Sequence, residues 1–124
     1  MSDRAGRSDR VFKTAWFARA ARKAHINDDE LCSAVRQVIL GQAVDLGGGV
    51  FKKRLGKNHY RSIIVTSGGH YWVYEYLFAK KDRSNIEGEE LTKFRRLAKA
   101  YATLTEQQID ELTEDNSWME ICND

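Results

Sequence analysis

Apolar positions between Thr14 and Ala24 recur at helical spacing, Trp16 with Ala20 and Phe17 with Ala21, while Arg19, Arg22 and Lys23 fall on the outward side. Just before them, Arg10–Lys13 carries Val11 and Phe12 and predicts a short first strand. A second helix is signalled by Leu31, Val35, Val38 and Ile39 at i, i+4, i+7 and i+8. Asn27 with Glu30 three residues on makes a capping-box start for it, and Gly41 marks its end. At Gly47-Gly48-Gly49, read as a flexible helix-to-strand connector, the period changes to two. The runs Val50–Leu55, Tyr60–Thr66 and Tyr71–Phe78 are rich in β-branched and aromatic residues. Their short glycine-containing links predict antiparallel hairpins. Helical period returns at Glu87, with Leu91, Phe94, Ala98 and Tyr101 as the apolar stripe and glutamates at the favourable end of the helix dipole. A last helix starts at Thr105, with Gln108 in the capping-box position and Leu104 and Ile109 placed as a staple. Ser117–Cys122 reads as an extended tail.

With 124 residues, the chain has the length of one domain, 1–124, of which Met1–Asp9 is expected to be a mobile leader. A hydrophobic share of 42% beside 31% charged residues allows a core and argues against wholesale disorder. No apolar stretch is long enough to cross a bilayer, and the charged Met1–Arg10 start does not read as a signal peptide. Cys32 and Cys122 lack metal-ligand spacing, so a cytoplasmic, reduced protein is expected. The net charge of +2 conceals an imbalance: residues 1–83 hold 16 Lys/Arg against 8 Asp/Glu, and residues 84–124 hold 4 against 10. A basic body with an acidic arm suggests a polyanionic ligand, or else an arm that folds back and neutralises the body. Charge alone leaves both open.

The triple glycine follows a helix and precedes a strand, the reverse of a phosphate-binding loop. His25, His59 and His70 lack ligand spacing and no serine sits in a G-x-S-x-G elbow, so neither a metal site nor a cofactor is expected. What remains is a basic constellation on the sheet. Lys52 and Arg54 are two apart and share a face, with Phe51 and Leu55 on the other. Lys57 follows in the turn, Tyr60 and Arg61 open the next strand, and Lys80, Lys81 and Arg83 close the third. In an antiparallel meander Arg61 and Lys80 come near each other. Residues 50–83 hold eight Lys/Arg against only Glu75 and Asp82, interleaved with Tyr60, Tyr74 and Tyr76. Phosphate contacts beside stacking rings suit a nucleic acid. A solvated outer face is the plainer reading of charged strand positions, and Trp72, Tyr74, Tyr76 and Phe78, alternating along one strand, read as core.

These residues resemble the RelE/ParE superfamily of toxins from type II toxin–antitoxin modules. The resemblance rests on Gly47–Arg54 (a GGG-V-x-K-x-R stretch), on Phe78–Ile86 (F-A-K-x-D-R-x-N-I), on the Phe12–Arg19 start and on the Leu91–Ala98 helix, and spans roughly residues 10–115. It implies an α+β fold: a small antiparallel sheet with two N-terminal helices on one face, C-terminal helices, and an opposite concave face that accepts RNA. It also implies a metal-free endoribonuclease that cleaves messenger RNA in the ribosome, the 2′-hydroxyl attacking the adjacent phosphate. Such a reaction needs a base, cations for the phosphorane charge and an acid for the 5′-oxygen. On the matching positions, Lys52 is the candidate base, with Lys57 as the residue that would share the role, if crowding lowers a lysine's pKa. Arg54 and Arg61 clamp the phosphate, Lys80 and Arg83 steady charge or leaving group, Tyr60 and Lys81 contact RNA, and Asn85 lies near the rim. The implied partners are a cognate antitoxin, often a helix-turn-helix protein, with mRNA and the ribosome; no membrane is involved. The alternative is a non-catalytic protein, either a ParE-like DNA gyrase poison or a nucleic-acid-binding regulator.

Overall fold

The computed structural model describes residues 9–122, so most of the leader expected over Met1–Asp9 lies outside the described residues. In chain order the elements are β1 (Arg10–Thr14), α1 (Ala15–Lys23), α2 (Asp28–Ile39), β2 (Val44–Gly47), β3 (Val50–Leu55), β4 (Tyr60–Thr66), β5 (Tyr71–Ala79), α3 (Glu89–Tyr101), α4 (Glu106–Glu114) and β6 (Trp118–Ile121). Local chemistry explains most of the boundaries. The Thr14 hydroxyl accepts the Phe17 N–H and opens α1. Thr105 and Gln108 form the predicted reciprocal capping box on α4. On α2 only half of the expected box exists. Asn27 caps Glu30 N–H, but the Glu30 carboxylate accepts the Gly56 N–H at 2.6 Å, tying the helix to the β3–β4 turn.

The expected helix-to-strand connector is a β-hairpin turn instead. An additional strand, β2, precedes the glycines and pairs antiparallel with β3. Gly47, Gly48 and Gly49 all have positive φ, and a side chain on Gly49 would meet the Thr66 carbonyl at 2.5 Å. Arg95 of α3 lies across the turn and donates to the Leu46 and Gly47 carbonyls. A four-residue strand flanked by glycine carries too little alternation to be recognised from the sequence.

All six strands form one sheet in the order β2-β3-β4-β5-β1-β6. The β3–β4–β5 meander is antiparallel as expected, whereas β1 runs parallel to β5. The extended tail is β6, paired antiparallel with β1 at the sheet's edge. Between Ile63↔Tyr76 and Ile64↔Tyr74 the register slips, leaving Glu75 as a bulge. This overturns the single aromatic face read for β5. Trp72 and Tyr74 enter the core beneath α1 and α2, while Tyr76 packs against the opposite core and Phe78 belongs to it.

Three clusters make up the interior. One lies between the sheet and α1 and α2, around Phe17, Leu31, Ile64 and Tyr74, whose hydroxyl donates to the Leu31 carbonyl. On the opposite face Val50, Ile63, Phe78, Ile86 and Phe94 sit under α3. Further along that face Phe12, Tyr71, Val73 and Trp118 are covered by Ile109 of α4. Cys32 on α2 and Cys122 after β6 form a disulfide across 90 positions of sequence, with Cα atoms 5.5 Å apart. That corrects the reduced state expected for them; the pairing depends on β6 closing the sheet, which spacing along the chain does not reveal.

Candidate functional site

The β-pleat places Lys52 and Arg54 with Val50 on the face that carries α3, and Phe51 and Leu55 on the other, as the sequence pattern predicts. Two cross-strand rows result. Lys52 stands opposite Ile63, which stands opposite Tyr76; Arg54 stands opposite Arg61, which stands opposite Phe78. The sheet therefore sets two guanidinium side chains directly across from each other. Like charges in that position oppose folding in the absence of a counter-ion. Arg54 is exposed and Arg61 half-buried. Neither Lys52, Arg54, Arg61 nor Lys80 is in an ion pair among the described residues.

The hairpin tip fixes Arg61. Gly56, Lys57 and Asn58 all take positive φ, a tight turn that brings carbonyls inward. Arg61 donates to the carbonyls of Asn58 at 3.1 Å and of Tyr60 at 3.0 Å, which holds its guanidinium at the mouth of the turn. Lys57 projects from the exposed tip. Lys52 reaches toward the Ser84 carbonyl at 3.5 Å, linking the strand to the segment after β5. Lys80 continues the pairing of β5, its N–H donating to the His59 carbonyl at 2.9 Å. It is thus near Arg61, and with Lys81, His59 and Tyr60 it lines a recess at the end of the sheet.

Two expected RNA contacts are engaged elsewhere. Arg83 pairs with Glu90 at the start of α3, donates to the Asn85 carbonyl and lies over the rings of Tyr76 and Phe78. The Asn85 carboxamide accepts the Ile86 N–H, anchoring the loop whose Ile86 is buried. The acidic arm folds back. Besides Glu90 on Arg83, it supplies Glu106, Asp110 and Glu120 to Arg10, and its helices cover much of one sheet face. The four cations at the open end remain outside this neutralisation among the described residues.

The lysine whose pKa is lowered is Lys53, on the α2 side, where burial and then the neighbouring Arg54 disfavour its charge; its ammonium donates to the Gln42 carbonyl. At the bulge, burial raises the Glu75 carboxyl to about 7, partly offset by a hydrogen bond from the Tyr101 hydroxyl and by Lys93. The Tyr101 hydroxyl is itself pushed upward by burial and by Glu75. Sequence reasoning placed Trp16 and Tyr76 among core positions. Trp16 is 45% exposed and its ring stacks on Tyr76 with centroids 5.2 Å apart. The available signal was its spacing from Arg19 and Lys23, which puts all three on one side of α1.

The family described as the RelE toxin of the RelE/RelB toxin–antitoxin system matches residues 9–121. The chain belongs to the RelE toxin family. It is accordingly the toxin of a toxin–antitoxin pair, and a cognate antitoxin is its partner. No curated protein and no solved structure matches the chain. Among the described residues no helix is long and apolar enough to cross a membrane, and no cluster of His, Cys, Asp and Glu is arranged to hold a metal ion.

Proposed function

We propose that this RelE-family chain, acting as one domain over residues 1–124, is an endoribonuclease that cuts messenger RNA in the cytoplasm, on the ribosome, and so arrests translation. The observation that carries the reading is the Arg54–Arg61 pair, set directly opposite each other on an exposed sheet face with Lys52 one row away. Two opposed guanidinium groups suit a pentavalent phosphorane, whose extra negative charge develops only in the transition state. The RNA 2′-oxygen attacks the adjacent phosphorus as its proton passes to a basic side chain, Lys52 with Lys57 as the second candidate. The P–O5′ bond breaks and the 5′-oxygen takes a proton, leaving a 2′,3′-cyclic phosphate and a 5′-hydroxyl. Lys80 steadies the leaving group from the end of β5, while Tyr60 and Lys81 guide the strand past it. Arg83 and Asn85 act by shaping the rim, since their polar groups already have protein partners. The helix-turn-helix class of antitoxin is proposed as the partner, inhibiting by covering the same cations with an acidic segment.

Mapping RNA 5′ ends in cells after brief induction tests the reading. Codon-phased cuts within translated messages, each with a 5′-hydroxyl, are expected. Intact RNA accompanied by DNA breaks would replace this reading with the gyrase-poison alternative.

A further inference from the structure

Beside the basic face runs a cleft that the cleavage chemistry does not use. The pairing of β1 with β5 ends at Lys13↔Tyr74, so the stretch from Tyr76 to Ala79 has no strand on that side among the described residues. The chain leaves β1 into α1, and the small Ala20 and Ala24 keep the near wall of that helix low. The result is an open cleft of about 590 Å³, within the range of sites that take a nucleotide-sized group.

Its floor is aromatic and its walls are cationic. Trp16 lies stacked on Tyr76, leaving nearly half of its surface exposed. Arg19 and Lys23 stand one turn apart on α1, and Lys81 and Arg83 face them from the segment after β5, with Asp82 the one acid in the lining. Arg83 is committed to Glu90, so Arg19, Lys23 and Lys81 are the cations in this lining without an ion pair among the described residues. Beside the open Trp16 ring they suit an anion that carries a flat ring. Tyr76 joins this cleft to the cleavage face, because the bulge at Glu75 turns it into the row of Lys52.

We infer that the cleft between α1 and the open end of β5 is a nucleotide subsite, in which Trp16 stacks on a base flanking the scissile phosphate while Arg19, Lys23 and Lys81 hold that nucleotide's phosphates. The inference rests on the ribonuclease reading for its choice of RNA. Trp16 is a positioning residue here, setting the register of the strand over Arg54 and Arg61.

The three tryptophans make the test direct, since Trp72 and Trp118 are buried at 6% and 5% exposure and Trp16 alone is open. The full chain is titrated with a 2′-O-methyl RNA hexamer, whose blocked 2′-oxygen prevents cleavage, and fluorescence is followed. Quenching is expected in the wild type and its loss in Trp16→Ala, with affinity about tenfold weaker. Trp16→Tyr should retain most of the affinity. The exposed double variant Arg19→Glu/Lys23→Glu, which removes two phosphate contacts, should flatten the dependence of log K on log salt by about 1.4. Equal affinity and unchanged salt slope in every variant overturn the subsite. So does tighter quenching by a polyglutamate peptide of matched charge, which assigns the cleft to a protein segment. Cleavage of unblocked RNA without quenching also removes the subsite and leaves the ribonuclease reading intact. Quenching by the blocked hexamer, with no codon-phased cuts in translated messages after induction, keeps the subsite and removes the ribonuclease reading.

Discussion

The sheet face that carries α3 has two unlike ends. Toward β1 and β6 it is roofed: Phe12, Tyr71 and Trp118 pack ring against ring beneath Ile109, with Tyr101 closing the edge. Toward the β3–β4 turn, β3 and β4 present Lys52, Arg54 and Arg61, with Arg54 exposed to solvent. The contrast comes from where the C-terminal helices rest. Their acidic side chains neutralise Arg10 and Arg83 and stop short of the hairpin cations. One end thus resembles an ordinary α+β core, and the other keeps uncompensated charge where burial would have required pairing.

Breaking the roofed end should have the largest effect. Phe12 is fully buried, and Phe12→Ala is expected to cost about 4 kcal/mol in denaturant unfolding. At the bare end the loss should fall on activity. Arg61→Ala and Lys52→Ala are each expected to lower RNA cleavage by a factor corresponding to about 3 kcal/mol. Stability stays within about 0.5 kcal/mol for Lys52→Ala and falls by about 1 kcal/mol for Arg61→Ala, whose guanidinium holds two turn carbonyls. Full cleavage in both folded variants would remove these residues from the chemistry.

Glu75 stands at the boundary and sharpens the comparison through pH. Its folded-state pKa, raised to about 7, exceeds the ordinary value of 4.5, so between these limits the folded chain holds a proton the unfolded chain has released. Stability therefore declines as pH rises from about 4.5 to about 7, and above 7 the full cost is carried. Glu75→Gln keeps an acceptor for the Tyr101 hydroxyl and removes the charge. It should stabilise on the order of 2 kcal/mol at pH 8, after allowance for partial solvent access, and not at all near pH 4. Thermal melts of the two proteins at both pH values give the answer; a constant difference would show that burial of the carboxylate is not the cause. The smallest effect belongs to the roof's own foundation: Thr105→Ala, which removes the α4 cap, should cost about 1 kcal/mol by the same melts.

Local chemistry by itself determined a good part of this protein. Val50–Leu55 and Tyr60–Thr66 could be bounded to the residue, because their period-two pattern is enclosed by turn residues that permit positive φ. The caps of α2 and α4 and the shared face of Lys52 and Arg54 followed from equally short-range rules. Contacts between distant segments decided the rest. Only the assembled sheet sets β1 parallel to β5, brings Cys32 against Cys122 and commits Arg83 to Glu90. The bulge at Glu75 is the clearest case, since an alternating aromatic run looks the same with or without one unpaired residue. Its position is set by two cores on opposite faces, each taking the rings that fit. That choice put Tyr76 beside Trp16 and moved an aromatic from the predicted core to the edge of the candidate site.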